Sequence, residues 1–190
     1  MKVILASQSP RRRELLSSMG ISFEVIVRQV DEDFPGHLDP VGAVRYIAEK
    51  KACAFKAEAT DALVITADTI VTVDGRILGK PADEAHAGEM LALLSGRRHE
   101  VITAVALLHD GAVELFHETT EVYFRSLSPA EIDYYIHHYR PYDKAGAYGI
   151  QEWIGVVAVE KIIGSYTNVV GLPTATLSEK LRGRLAYLSV

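Results

Sequence analysis

ALVITADTIVTVDGRILGKP, residues 62–81, decides the class of fold. Ala62 to Ala67 is an apolar run of strand length, rich in β-branched residues and ended by the polar pair Asp68-Thr69. Ile70 to Val73 is a second run, and Asp74-Gly75 after it is a strong hairpin turn signal. The return strand is short and stops at Gly79-Lys80-Pro81. Apolar density of this kind predicts a central strand, and the turn predicts that at least one strand pair is antiparallel.

Upstream, Val3 to Ala6 reads as a short buried strand, and Ser9-Pro10 opens a helix with a good N-cap and a proline at its first position. Leu15, Leu16 and Met19 give that helix an apolar side, and Gly20 stops it. Phe23, Val25 and Val27 alternate as a strand, and the acidic loop Asp31-Glu32-Asp33-Phe34-Pro35 follows. Val41, Val44, Ile47, Ala48, Ala52 and Phe55 recur at helical spacing, with Lys50 and Lys51 where cations suit the helix dipole.

Downstream, Asp83 begins a helix carrying Ala87, Met90, Leu91 and Leu94, closed near Gly96. Two long strands, Glu100 to Leu108 and Ala112 to about Phe124, are joined through His109-Asp110-Gly111. Ser128-Pro129-Ala130-Glu131 is a capping box before a helix showing Ile132, Tyr135, Ile136 and Tyr139. Tyr142 to Gln151 has no regular period. Val156 to Ile162 reads as a strand, Gly164 to Pro173 as a loop, and a last helix from Pro173 carries Leu177, Leu181 and Leu185. Interleaved helices and strands with a hairpin predict α/β with a mixed sheet, not a purely parallel doubly wound one.

The 190 residues, 48% hydrophobic and 24% charged, fit one globular domain, or one domain split into two lobes by a cleft. A net charge of -5 excludes a globally basic nucleic-acid coat but not a local basic pocket for a small anion. The lone Cys53 excludes an intramolecular disulfide and fits a reducing compartment. No Cys/His cluster has zinc spacing. The N-terminal MKVILASQSPRRR lacks a signal-peptide core, and no apolar stretch reaches membrane-spanning length, so a soluble cytoplasmic protein is expected.

Ser7-Gln8-Ser9-Pro10-Arg11-Arg12-Arg13 delivers a strand to a polar loop and then to a helix N-terminus, where free backbone N–H groups suit an anion. Cations in a first helical turn oppose the dipole by a few tenths of a kcal/mol each unless something negative is near; a phosphate chain would reverse that sign. The alternative is a solvated charge run whose arginines pair with acids such as Glu14. Asp68, flanked by apolar strand, needs a cation or hydrogen-bond donors if buried; Thr69 is one donor, and a divalent metal bridging Glu32, Asp68 and phosphate oxygens would be another partner. From spacing alone Glu32 is simply solvated. Lys51, Lys80 and Lys144 each read as ordinary surface lysines when taken singly, and Gly79-Lys80-Pro81 is not a P-loop, since Pro81 stands where Ser or Thr is required. In Asp143 to Gln151, Gly146 and Gly149 permit close backbone approach, and Gln151 can both donate to and accept from a nucleobase edge. Cys53 between two alanines reads as helix packing, His99 as core or surface, and Trp153 as packing or cleft rim.

Taken in order, LASQSPRRRELL (5–16), VDED (30–33), Lys50-Lys51-Ala52, ADTIV (67–71), GKP (79–81), LSGRRHEVITAV (94–105), DKAGAYGIQ (143–151) and NVVGLP (168–173) resemble the Maf family over nearly the whole chain. The resemblance implies a single domain over 1–190, built as two α/β lobes around a central cleft and related to the inosine triphosphate pyrophosphatase fold. It implies cleavage of a nucleoside triphosphate between the α and β phosphates, giving a nucleoside monophosphate and pyrophosphate with a divalent cation, magnesium or manganese. Asp68 matches the catalytic carboxylate, and Glu32, Lys51 and Lys80 match other polar positions of the cleft. Arg11, Thr69 and Gln151 match positions of substrate selection, with Arg11 pointing to dTTP and UTP and a tryptophan there to 7-methyl-GTP. With it, Ser7, Ser9, Arg12 and Lys80 are expected to hold the phosphates, and Glu32 and Asp68 the metal. The partner expected is the nucleotide, with no membrane and no stable nucleic-acid complex; a homodimer is compatible. Two departures flank the base-reading loop: Tyr139-Arg140-Pro141 where Gly-Glu-Pro is common, and Glu152-Trp153 where Gly commonly follows Ile-Gln. The alternatives are a 7-methyl-GTP-type or broader pyrophosphatase, or a non-enzymatic nucleotide- or DNA-binding regulator of septum formation.

Overall fold

Strands and helices alternate as the switching periodicity requires, and the computed structural model describes residues 1–185. In chain order the elements are β1 (Lys2–Leu5), α1 (Pro10–Ser18), β2 (Glu24–Val25), α2 (Pro40–Cys53), β3 (Ala62–Val73), β4 (Arg76–Leu78), α3 (Glu84–Leu94), β5 (Arg98–His109), β6 (Ala112–Phe124), α4 (Pro129–Tyr139), α5 (Trp153–Ala158), β7 (Val159–Ile163), α6 (Tyr166–Val170) and α7 (Thr174–Leu181). Single 3-10 turns lie at Glu58–Thr60 and Ala145–Ala147. The seven strands form one sheet in the order β2-β1-β3-β5-β6-β7, with β4 paired to β3. β1 is parallel to both β2 and β3, with Leu5 opposite Val25 and Ile65, whereas β3–β4 and β6–β7 are antiparallel. The sheet is therefore mixed, as the hairpin signal predicts. Both Asp-Gly turns carry positive φ at the two residues, 49° and 76° at Asp74-Gly75 and 47° and 75° at Asp110-Gly111, the pairing a two-residue hairpin turn requires.

The chain divides into two compact units. The first comprises Met1–Asp68, Thr103–Glu118 and the chain from Gly171; the second comprises Thr69–Ile102 and Thr119–Val170. In the first, alternate residues of each strand enter different cores. Val3, Leu5, Leu63 and Ile65 pack with Leu16 and Leu177, while Ile4 and Val64 pack with Ala52 and Phe55. Burial on both faces explains why ALVITA is apolar at every position but Thr66 and does not alternate. The second unit has its own core, in which Val71, Leu91, Phe124, Tyr135 and Tyr148 meet.

Several sequence expectations are corrected. β3 does not end at Asp68; it is continuous from Ala62 to Val73, because Asp68 and Thr69 keep strand backbone while the Asp68 carboxylate pairs with Lys51. The strand expected over Phe23–Val27 is only Glu24–Val25. The strand expected from Val156 begins at Val159, since Trp153–Ala158 is helical and buries Ile154 and Ala158 in the second core. The β-branched pair Val156-Val157 favours strand locally, and tertiary packing overrides it. The loop expected over Gly164–Pro173 contains α6, pinned by buried Asn168, whose amide donates to Val101 O at 3.0 Å and Thr120 Oγ1 at 2.8 Å. Cys53 is exposed, not packed.

Candidate functional site

The first unit builds its polar cluster from three segments. β1 hands the chain to Ser7, which is buried and whose Oγ accepts from Ser9 N–H at 3.2 Å. Ser9 caps α1 by accepting from Arg12 N–H at 3.4 Å, with Pro10 at the first helical position. No acid lies in that first turn, so its three arginines present positive charge. Arg12 folds back: its Nε donates to Gly171 O at 2.8 Å and an Nη reaches Ser7 Oγ at 3.4 Å. Burial of the guanidinium lowers its pKa, Asp68 opposes the shift, Arg11 adds to it and Glu32 opposes it. Arginine's high intrinsic pKa keeps it charged nonetheless.

The other two segments meet at Lys51, in the last turn of α2. Its Nζ stands 2.8 Å from Glu32 Oε1 and 2.6 Å from Asp68 Oδ1. The side chains of Lys51 and Asp68 are only 15% and 12% exposed, against 44% for Glu32, so the lysine–aspartate pair is the drier one. Lys50 serves the same loop from the preceding position, bonding Asp33 O at 3.2 Å and Asp31 at 3.5 Å, while Asp33 N–H closes onto Asp31 Oδ1 at 2.9 Å. The acidic loop is thus held on both sides of Glu32. Thr66 Oγ1 donates to Ala48 O at 2.8 Å, which fastens α2 to β3 two residues before Asp68. Sequence spacing gave Glu32 as solvated and Lys51 as a surface lysine; the structure joins them because a helix end and a strand centre pack together, a pairing that no local pattern encodes.

The second unit holds the other predicted residues. Thr69 is half-buried in β3, next in chain to Asp68, while Lys80 and Gln151 are exposed. Gly146 N–H donates to Gly79 O at 3.0 Å, tying the strap that carries Lys80 to the loop that carries Gln151. Lys144 is buried and not a surface lysine: Nζ lies 2.7 Å from Asp143 and 3.1 Å from Glu152. Glu152 also accepts from the Tyr135 hydroxyl, and Tyr135 Oη accepts from Gly149 N–H at 3.0 Å. His99 is a core residue, its Nε2 2.8 Å from Tyr148 Oη, with its pKa lowered to about 4 mainly by burial. Sequence reading missed Tyr135, which takes an apolar helical position, and Arg28, which bonds Ala54 O and Glu58 and stacks 4.7 Å over Phe55 at the start of the acidic loop.

A mixed α/β sheet, an arginine-rich helix start and a lysine shared by two carboxylates define a protein suited to a phosphorylated ligand. The chain belongs to the Maf-like protein family, whose model matches residues 2–184. It is 49% identical over 185 residues to a dTTP/UTP pyrophosphatase of Porphyromonas gingivalis, covering 95% of this chain and 93% of that one. It is 51% identical over 183 residues to a dTTP/UTP pyrophosphatase of Phocaeicola vulgatus, covering 95% of each. Among solved structures it is similar to the Staphylococcus aureus Ham1 protein, with TM-score 0.48 and 18% identity over 65% of this chain and 72% of that one. Among the described residues no helix is long and apolar enough to cross a membrane.

Proposed function

We propose that this chain is a nucleoside triphosphate pyrophosphatase that hydrolyses dTTP and UTP to the nucleoside monophosphate and pyrophosphate, with residues 1–190 acting as one catalytic domain in the cytoplasm. The activity of the similar enzymes supports the reaction. The observation that carries the chemistry is the single lysine ammonium facing both Glu32 and Asp68. Asp68 takes the proton of a water whose oxygen attacks the α-phosphorus. The Pα–O–Pβ bond breaks, and its electron pair leaves with pyrophosphate. Lys51, Lys80 and Arg12 offset charge on the phosphate oxygens, the dominant contribution in this class of reaction. Ser7, Ser9 and the N–H groups opening α1 hold the phosphate chain.

Two carboxylates aimed at one point charge are the donor number a magnesium-type ion takes from protein when phosphates fill the rest of its sphere, so Glu32 and Asp68 fit that cofactor. When bound, magnesium or manganese would supply further neutralisation of the triphosphate. Arg11, Thr69 and Gln151 contact the base, and fixed polar groups there reject bases that leave them unpaired. The test is pyrophosphate release across dTTP, UTP, dCTP, dATP, dGTP and 7-methyl-GTP. Fastest turnover of dTTP and UTP is expected. 7-methyl-GTP as best substrate would overturn the specificity, and no release from any would overturn the enzyme assignment.

A further inference from the structure

Gln151 sits in a four-residue turn that is closed by hydrogen bonds at both ends. Glu152 N–H donates to Gly149 O at 3.0 Å across it. From beneath, Tyr135 of α4 accepts from Gly149 N–H at 3.0 Å and donates its own hydroxyl hydrogen to Glu152. These three hydrogen bonds make a ring: Gly149 amide to Tyr135 hydroxyl, Tyr135 hydroxyl to Glu152 carboxylate, and Glu152 amide back to Gly149 carbonyl. Lys144 Nζ locks the carboxylate from the other side at 3.1 Å. Every member but Gln151 is buried or nearly so, with Tyr135 fully buried and the Lys144 and Glu152 side chains 9% and 18% exposed. A side chain on Gly149 would crowd this arrangement: a Cβ would stand 3.0 Å from Glu152 and 3.1 Å from Lys144. A buried tyrosine–glutamate–lysine network is poor value as stabilisation alone, because apolar groups of similar volume often do as well. What it does provide is a fixed backbone for one exposed residue.

We infer that Tyr135, Glu152 and Lys144 are positioning residues for base preference, acting through Gln151. This rests on the reading above that Gln151 contacts the base. A hydroxyl donor with its own acceptor fixes the turn directionally, so removing it lets the glutamine wander while leaving the phosphate chemistry in place. Burial, followed by the bond to Glu152, raises the Tyr135 pKa, which keeps the hydroxyl protonated as a donor.

The experiment is steady-state kinetics of Tyr135→Phe, Glu152→Gln, Gln151→Ala and the Tyr135→Phe/Gln151→Ala double variant on dTTP, UTP and dCTP, each folded by melting curve. Loss of one net hydrogen bond predicts a rise of about three- to tenfold in KM for dTTP and UTP with Tyr135→Phe, kcat within about twofold, and a narrower preference over dCTP. Glu152→Gln keeps an acceptor for the hydroxyl and should show a smaller shift. In the Gln151→Ala background the Tyr135→Phe effect should vanish, since coupled residues are non-additive. An undiminished KM effect in that background, or kcat falling for every nucleotide alike, overturns the inference while the Gln151 reading stands. A Gln151→Ala variant with unchanged preference overturns both. Should Tyr135→Phe fail to fold, Glu152→Gln and its double with Gln151→Ala decide by the same criteria.

Discussion

Lys51 faces two carboxylates with one charge, and the two differ in exposure, 44% for Glu32 against 12% for Asp68. Asp68 is held at 2.6 Å on the drier side, and Asp68→Asn keeps the hydrogen bond while removing the carboxylate charge and the proposed base. A fall in kcat of about 10²–10³-fold on dTTP is expected with the melting temperature nearly unchanged, the size typical of losing one central charge-handling group. Kinetics with a thermal melt check it; near-wild-type turnover would remove Asp68 from the reaction. The apolar flanks of Asp68 made its burial readable in sequence, whereas the partner lysine was not readable, because seventeen positions of sequence and a packed helix end separate the two. His99 gives a residue-scale prediction in pH. Burial lowers its pKa from 6.5 to about 4, so between those values the unfolded chain binds a proton that the folded one does not. Stability from this group is therefore complete above pH 6.5 and lost as pH falls towards 4, by up to about 3 kcal/mol. His99→Gln should be closer to wild type in urea unfolding at pH 4.5 than at pH 7.5. An equal deficit at both values would show that His99 is not titrating in this window.

Helix ends do much of the placing at the level of elements, and their signals were the most legible. Ser128 and Glu131 form the capping box the sequence predicts, with Ser128 N–H donating to Glu131 at 2.8 Å and Arg125 pairing with it at 2.7 Å, which holds the Glu131 carboxyl down to about 2. Ser128→Ala should destabilise by about 1 kcal/mol, read by urea midpoint. Because the cap begins the helix that carries Tyr135, kcat at 25 °C should hold while the melting point drops. The irregular segment is the opposite case. Gly146 has φ 67°, and a Cβ there would sit 2.9 Å from Val71, so Gly146→Ala should cost about 1–3 kcal/mol and weaken dTTP binding. That glycine was visible as a loop residue, but its contact with β3 was not, since loops take their shape from what they rest on. The same physics explains why Val156–Ala158 reads as strand: the six residues of α5 have too little periodicity to oppose β-branched propensity, and only the buried Ile154 and Ala158 settle it.

Across the whole molecule, the hydropathy pattern fixes a mixed sheet, because uninterrupted apolar strands must be covered on both faces while Asp-Gly pairs force hairpins. Charge has a different logic. The chain carries -5 overall, which opposes any extended polyanion such as DNA, yet the charged residues proposed for the phosphates are cationic. Within the first unit, Lys51 and Arg12 against Glu32 and Asp68 leave no positive charge in surplus. A fully ionised triphosphate adds only negative charge, so neutralisation is incomplete without a divalent cation. Pyrophosphate release from dTTP should accordingly fall to background with EDTA and return with magnesium or manganese. Glu32→Gln should raise the cation concentration needed for half-maximal rate by at least about tenfold, the least that loss of even an outer-shell partner of a metal ligand typically costs. A non-enzymatic regulator predicts the reverse pattern: no cation-dependent release, and tight DNA binding that weakens steeply with salt. Cation-independent hydrolysis would contradict both, and would leave Lys51, Lys80 and Arg12 to carry the phosphate charge alone.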